Sequence, residues 1–224
     1  MQIPWGMKTV QRCAKLEYSW AKSPRIHTRT KPLMRLIVAT SNPGKLKEMQ
    51  AYLTDPELGC ELVLKPADLE VEETGVTFLE NACLKASEVA KALGEWAIAD
   101  DSGLQVDALG GAPGIFSARY GTSDLNRIER LLAELGDEKN RTAQFVCAVA
   151  VARPDGAIAL QTEGICPGEI LYAPQGKGGF GYDPIFYVPA QQMTFAEMPA
   201  EVKHLSSHRG RAFQALLPQF KNLT

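Results

Sequence analysis

"RLIVATSNPGKLKEMQAYL", Arg35 to Leu53, is the stretch that decides the fold class. Leu36-Ile37-Val38-Ala39 is a short continuous apolar run bounded by turn residues, and it reads as a buried strand. Thr40-Ser41-Asn42 closes it. Pro43 then stands in the first turn of a helix, where its missing N–H is harmless and its fixed φ is already helical. The product is strand, polar loop and helix, the unit from which α/β sheets are assembled.

The punctuation stays regular downstream. "CELVLK", Cys60 to Lys65, is a second strand. Thr77 and Glu80 have capping-box spacing ahead of a helix whose apolar face runs Phe78, Ala82, Ala86, Val89, Ala90, Leu93. "EWAIAD", Glu95 to Asp100, is a third strand, expected to end in Asp-Asp-Ser-Gly. After the turn-rich "LGGAPG" the pattern gives a helix from Asp124 to Leu135. "AQFVCAVAVARPDGAIALQTEG", Ala143 to Gly164, then reads as a long hairpin turning at Pro154-Asp155-Gly156. "YDPIFYVP" reads as a further strand, and an amphipathic helix capped by Ser206 or Ser207 ends the chain. Helices alternating with strands early and a hairpin later predict an α/β fold with a mixed β-sheet flanked by helices. Residues 35–224 read as one domain without repeats or a low-complexity linker.

Composition narrows the function classes. The chain has 224 residues, 45% hydrophobic and 22% charged, with a formal net charge of -2, so no chain-wide field draws it to nucleic acid or membrane. No apolar run approaches the ~18 residues that span a bilayer. Cys13, Cys60, Cys83, Cys147 and Cys166 show no C-x-x-C spacing, and their odd count suits reduced thiols in a cytoplasm. Residues 1–34 carry Lys8, Arg12, Lys15, Lys22, Arg25, Arg29 and Lys31 against the single acid Glu17, without apolar periodicity. They read as a disordered basic extension, either an organelle-targeting segment or sequence upstream of a start at Met34. The second is favoured because the first clear strand begins at Leu36.

Four clusters carry chemistry. Thr40 to Lys45 is a polar turn at the carboxyl end of a strand and the start of a helix, a place suited to an anion. Glu72-Glu73 and Asp100-Asp101 are two acid pairs beside apolar elements, and magnesium commonly takes one or two protein carboxylates with water and phosphate oxygens. "GKGGFGYD", Gly176 to Asp183, lacks the strand-before, helix-after context of a dinucleotide fingerprint; it reads either as a hairpin tip or as a close-approach loop presenting an aromatic face and a carboxylate. Neither Gly44-Lys45 nor Gly176-Lys177 is followed by the Ser or Thr of a phosphate-binding P-loop. Lys203, His208 and Arg209 surround Ser206-Ser207, either as solvated cations or as donors aimed into a pocket, where Arg209 suits a carbonyl oxygen. His27 and His204 read as surface residues.

"TSNPGK", "EETGVTFLENACLKA", "IADDSGLQVDALGGAPGIFSARY", "GGFGYDPIF" and "SHRG", in this order from residue 35 onward, resemble the inosine triphosphate pyrophosphatase family of non-standard purine nucleoside triphosphate pyrophosphatases. The resemblance implies an elongated mixed sheet, a homodimer, Mg²⁺ dependence, and hydrolysis of ITP, dITP and XTP to the monophosphate and pyrophosphate. By matching positions, Thr40, Ser41, Asn42, Pro43, Gly44 and Lys45 resemble the triphosphate loop and Lys85 a phosphate cation on a helix. Glu72 and Asp101 match the magnesium acids, Asp101 also being the base toward water. Ser102 matches a substrate contact, Phe180, Gly181, Tyr182 and Asp183 the base-binding loop, and Lys203, His208 and Arg209 the remaining ligand contacts. Asp100 is expected to orient Asp101. Two alternatives stay open: a catalytically silent nucleotide-binding domain, and a septum-formation type of nucleotide pyrophosphatase, against which the "SHRG" and "GGFGYDP" blocks speak.

Overall fold

The computed structural model describes residues 34–54 and 58–223. The basic extension, with Cys13 and His27, lies outside the described residues apart from Met34, which already pairs with Cys60 as the first residue of a strand.

Among the described residues seven strands make one mixed sheet. They are β1 (Met34–Val38), β2 (Cys60–Leu64), β3 (Trp96–Val106), β4 (Thr142–Ala152), β5 (Ile158–Ile170), β6 (Phe186–Val188) and β7 (Met193–Thr194), in the spatial order β2-β1-β3-β4-β5-β6-β7. β1 is parallel to both β2 and β3, and every later pairing is antiparallel. The helices are α1 (Pro43–Leu53), α2 (Phe78–Leu93), α3 (Asp124–Leu135), α4 (Ala200–Ser206) and α5 (His208–Phe220).

Local signals set most boundaries. The Asn42 side chain accepts from the N–H groups of Gly44 and Lys45 and so starts α1, and Thr77 and Glu80 complete both bonds of the expected capping box of α2. α3 begins at Asp124, capped by Ser123. The β4–β5 hairpin turns where expected, with Gly156 at φ +86 and Asp155 accepting from the N–H of Ala157.

Alternation along β4 puts two cores on opposite faces of the sheet. Cys147, Val149 and Val151 pack with Ile98 and Leu36 under Met49 and Leu53 of α1 and Phe213, Leu216 and Phe220 of α5. Val146, Ala148 and Ala150 pack with Ala97 and Ala99 under Phe78, Ala82, Ala86 and Val89 of α2. The small residues on this second face let α2 lie close to the sheet. A third cluster, around Leu131 of α3, Phe145, Phe186 and Phe195, closes the far end.

Three expectations change. β3 does not end at the aspartates but continues to Val106, because β4 pairs with it without interruption, Asp100 opposite Val149 and Asp101 opposite Ala148. The Tyr182–Pro189 strand is shorter than expected: a single 3-10 turn at Asp183–Ile185 precedes β6, with the Tyr182 carbonyl accepting from the N–H of Ile185. An additional helix, α4, precedes α5, and Ser207 between them caps α5.

Candidate active site

The site forms where β1 stops. β1 pairs with β3 only as far as Val38 opposite Ile98, so from Ala99 onward one edge of β3 faces a crevice at the carboxyl end of β1. Successive strand residues point to opposite faces, and the two aspartates therefore serve different clusters. Asp101 points toward α2, where Lys85 Nζ lies 3.1 Å from its Oδ1 and Asn81 Nδ2 3.3 Å from its Oδ2. Asp100 points toward α5, where Arg209 Nη2 lies 2.8 Å from its Oδ2. Lys45, in the first turn of α1, reaches across the end of β1 to both, at 3.3 Å from Asp100 and 4.0 Å from Asp101.

The electrostatics of the neighbours diverge accordingly. Burial alone would raise the Asp100 carboxyl, but Lys45 and Arg209 hold it well below the usual carboxylate range. For Asp101 burial prevails over Lys85 and Lys45, and the carboxyl is pushed up. Asp100 is thus a permanent anion inside a cation cluster, while Asp101 is the more basic group and opens on a cavity of about 480 Å³. Thr40, Ser41, Asn42, Lys45, Lys85 and Ser102 line the same cavity.

The α1 N-terminus is less available to an anion than its position suggests. Asn42 Oδ1 takes the N–H groups of Gly44 and Lys45 at 2.9 and 3.1 Å, the N–H of Leu46 goes to the Asn42 carbonyl, and Pro43 has none. The cap that starts the helix consumes its free donors, so Lys45 supplies the positive charge there.

Of the acid pair Glu72-Glu73, Glu73 lines the polar cavity and Glu72 is exposed away from its lining. Glu73 Oε1 lies 2.7 Å from Lys85 Nζ, and Arg119 binds its other oxygen. Burial would raise the Glu73 carboxyl, but Lys85 and Arg119 lower it. The loop thus presents Glu73 to the cavity and turns Glu72, the residue singled out in the sequence, outward.

A second, narrower cavity of about 70 Å³ adjoins the first through Asn42, Lys45, Ser102 and Ala118 and is lined further by Phe145, Phe180, Gly181, Tyr182, Asp183, Lys203, His208 and Arg209. Phe180 packs over the backbone of Gly44, where an added Cβ would stand 2.7 Å from the ring. Asp183 is turned inward, accepting from the N–H of Phe180 at 2.9 Å and from Lys203 Nζ at 2.6 Å. Its carboxylate organises the glycine loop instead of facing outward from it. Tyr182 is buried, with its hydroxyl donating to the Ser117 carbonyl at 3.0 Å, and the N–H of Gly181 donates to Asp124.

His208 and Arg209 open α5, which sits close on β5 because Gly164 has no side chain: a Cβ there would lie 2.2 Å from the His208 carbonyl oxygen. The His208 ring stacks on Phe145 at 4.6 Å between centroids. Burial, reinforced by Arg209, drives its pKa well down, so the imidazole is neutral at pH 7. Arg209 is 1% exposed and bonded through Nη1 to Glu48 and through Nη2 to Asp100 and to Ser102 at 3.0 Å. Arg209 Nε and His208 Nδ1 have no hydrogen-bond partner among the described residues.

A model of the Ham1 family matches residues 36–219. The chain belongs to the Ham1 family. Two relatives, the dITP/XTP pyrophosphatases of Nostoc sp. and Synechocystis sp., are 73% and 62% identical over 82% and 84% of this chain and 93% and 96% of theirs. Solved Ham1 proteins from Coxiella burnetii and Staphylococcus aureus share 41% and 42% identity, with TM-scores of 0.77 and 0.76 over 84% and 85% of this chain and 99% and 100% of theirs. The inosine triphosphate pyrophosphatase resemblance and the α/β fold with a mixed sheet both stand.

Several residues of this Ham1 chain were not singled out by sequence. Glu48 of α1 holds both Lys203, at 2.8 Å, and Arg209. Burial works against its charge, but Arg209 and Lys203 outweigh it and keep the carboxyl below its usual range. Glu48 stands three residues beyond Lys45, on a helix already placed beside the phosphate-type loop, and that spacing is the signal that would have found it. Arg119 follows the "GIFSA" turn with no local cue to its role. His204, read as a surface residue, stacks on Tyr52 at 3.7 Å and lines, with Glu48, Phe180 and Phe195, a third cavity of about 430 Å³.

Proposed function

We propose that this chain hydrolyses non-standard purine nucleoside triphosphates, ITP, dITP and XTP, to the nucleoside monophosphate and pyrophosphate, and so removes deaminated purines from the nucleotide pool. The observation that carries the reading is the joining of two unlike cavities: an aromatic one lined by Phe180, Tyr182, His208 and Arg209, opening into a polar one in which Lys45 and Lys85 stand against Asp101 and Glu73. The first offers an aromatic face and donors to a purine, and the second offers cations to a polyphosphate. The names of the Nostoc and Synechocystis relatives support the same activity.

Asp101 and Glu73 both line the polar cavity, and their carboxylates, which now bond Lys85 Nζ, would hold magnesium there with water and phosphate oxygens filling its remaining positions. Among the described residues no group of three or more acids, histidines or cysteines is placed to hold a metal ion, and magnesium commonly takes only one or two protein carboxylates. When bound, magnesium supplies Lewis acidity toward the phosphate oxygens. Asp101, with its carboxyl pushed up by burial, accepts the proton of the attacking water, and Lys45 and Lys85 neutralise charge on the bridging and non-bridging oxygens. Ser102 donates to the phosphate nearest the nucleoside. Phe180 covers one face of the base, and Gly181, Tyr182, Asp183 and Lys203 hold the wall behind it. Arg209 lines the aromatic cavity, where a carbonyl at position six of hypoxanthine or xanthine would give its guanidinium an acceptor. The adenine amino group gives it none, and rejection of an analogue that leaves a buried donor unpaired reaches about 10⁴-fold.

The same reading includes a homodimer, and the cytoplasm as compartment; the free thiols of Cys60, Cys83, Cys147 and Cys166 support the latter. The test is pyrophosphate release from ITP, XTP, dITP, GTP, ATP and UTP with and without magnesium. The expected result is magnesium-dependent release from the first three far above the others. Release preferring UTP, or none from any of the six, would remove the proposal.

A further inference from the structure

Arg119 is mounted differently from Lys45 and Lys85, the two lysines of the polar cavity that bond its carboxylates. Lys45 and Lys85 have side chains only 15% and 13% exposed and are wedged between carboxylates, whereas the Arg119 side chain is 57% exposed and touches the cluster only at its guanidinium, on Glu73. Its backbone, by contrast, is fixed. Ser117, two residues before, gives its hydroxyl to the Gly114 carbonyl at 2.6 Å and accepts from the N–H of Leu104 at 2.9 Å, while its own carbonyl holds the Tyr182 hydroxyl. Tyr120, the next residue, is buried. Arg119 is therefore a free arm on a rigid mount, and its planar fork matches phosphate as well as it matches the carboxylate it now holds.

Its place along the cleft defines what it would meet. The two cavities share Asn42, Lys45, Ser102 and Ala118, so a nucleotide with its base beside Phe180 and Arg209 must lead its phosphates past Lys45 and Ser102. Arg119 lines the polar cavity and not the aromatic one, and it meets the cluster at Glu73, which also holds Lys85. On the proposed reading, a nucleotide led past Lys45 and Ser102 would bring its terminal phosphates, those that leave as pyrophosphate, to Arg119.

We propose that Arg119 is a specificity-determining residue that exchanges the Glu73 carboxylate for the terminal phosphates of the substrate and so selects a triphosphate over shorter nucleotides. The inference rests on the proposed pyrophosphatase reading and deepens it. It makes Glu73 a placeholder that keeps the guanidinium aimed into the cleft while no polyphosphate is present. Arg119 carries the discrimination by chain length, and the aromatic cavity carries the discrimination by base.

The experiment compares the wild type with R119A and R119K. Loss of a charge-assisted contact of this exposure should raise KM for ITP roughly tenfold with kcat little changed, and weaken inhibition by pyrophosphate by a similar factor. Inhibition by inosine monophosphate, which ends short of Arg119, should stay within about twofold, and R119K should recover part of the loss because it restores charge without the fork. Calorimetric titration of inorganic tripolyphosphate in saturating magnesium needs no turnover. It keeps the proposal testable if wild-type protein hydrolyses none of the purine triphosphates, and R119A should again bind about tenfold more weakly. Unchanged pyrophosphate and tripolyphosphate binding would overturn the assignment. So would equal weakening of inosine monophosphate, or a loss confined to kcat, which would mean that Arg119 acts through Glu73.

Discussion

Replacing Asp100 by Asn tests whether the buried charge cluster under the site is held together as a unit. Asp100 is 1% exposed, and its Oδ2 lies 2.8 Å from Arg209 Nη2 and 3.3 Å from Lys45 Nζ, with Arg209 itself 1% exposed. The amide keeps the shape and removes the charge. Breaking a buried pair by neutralising one partner costs about 3–5 kcal/mol, because the other charge stays in the interior uncompensated. Two features place this case near the lower bound: Arg209 keeps Glu48 and Ser102, and removing the carboxylate also removes its own desolvation penalty. The expected loss is therefore about 3 kcal/mol, which for a chain of this length lowers Tm by roughly 6–12 °C. The assay is urea and thermal unfolding of the wild type, D100N, R209M and D100N/R209M. If the stranded guanidinium is the cause, the double variant should be more stable than D100N, since an apolar residue leaves no unpaired charge. A D100N loss under about 1 kcal/mol, or a double variant no better than D100N, would refute the reasoning.

Asp101→Asn should leave the fold intact and lower kcat by more than about 10²-fold, measured as pyrophosphate release, since the amide cannot accept the water proton. Lys85→Ala removes the cation shared by Glu73 and Asp101 and should raise KM for ITP and GTP by the same factor, leaving their efficiency ratio within about twofold. Gly44→Ala sets a methyl 2.7 Å from the Phe180 ring; the ring should swing away, raising KM for ITP with Tm changed by only a few degrees. Gly164→Ala instead meets backbone, 2.2 Å from the His208 oxygen and 2.3 Å from the Ala212 nitrogen, so the expected loss is about 3 kcal/mol with activity falling in parallel, read by urea unfolding and turnover.

Local chemistry was legible in the sequence because its causes lie within a few residues. Pro43, the Thr77–Glu80 box and the Pro154-Asp155-Gly156 turn each act on backbone groups four positions away or less, and each set its boundary as read. The apolar period of α2 likewise identified the face that packs on Ala97 and Ala99. The ordered motifs brought Thr40, Lys45, Lys85, Asp101, Ser102, Phe180, His208 and Arg209 forward as one constellation, and the fold brings them to two adjoining cavities. What only the tertiary structure decided is how each charge is neutralised. An Asp-Asp pair reads as a strand end because carboxylates do not belong in a sheet interior without cations, and the cations came from elsewhere: Lys85 from α2, Lys45 from α1, and Arg209 from 109 residues downstream. With those in place β3 runs on to Val106 and the pleat sends the two aspartates to opposite faces. The choice of Glu73 over Glu72, the inward turn of Asp183 onto Lys203, and the grip of Glu48 on Arg209 across 161 positions follow the same cause. No spacing rule within the chain encodes them, because a buried charge is paired by whatever the fold carries to within about 3 Å of it.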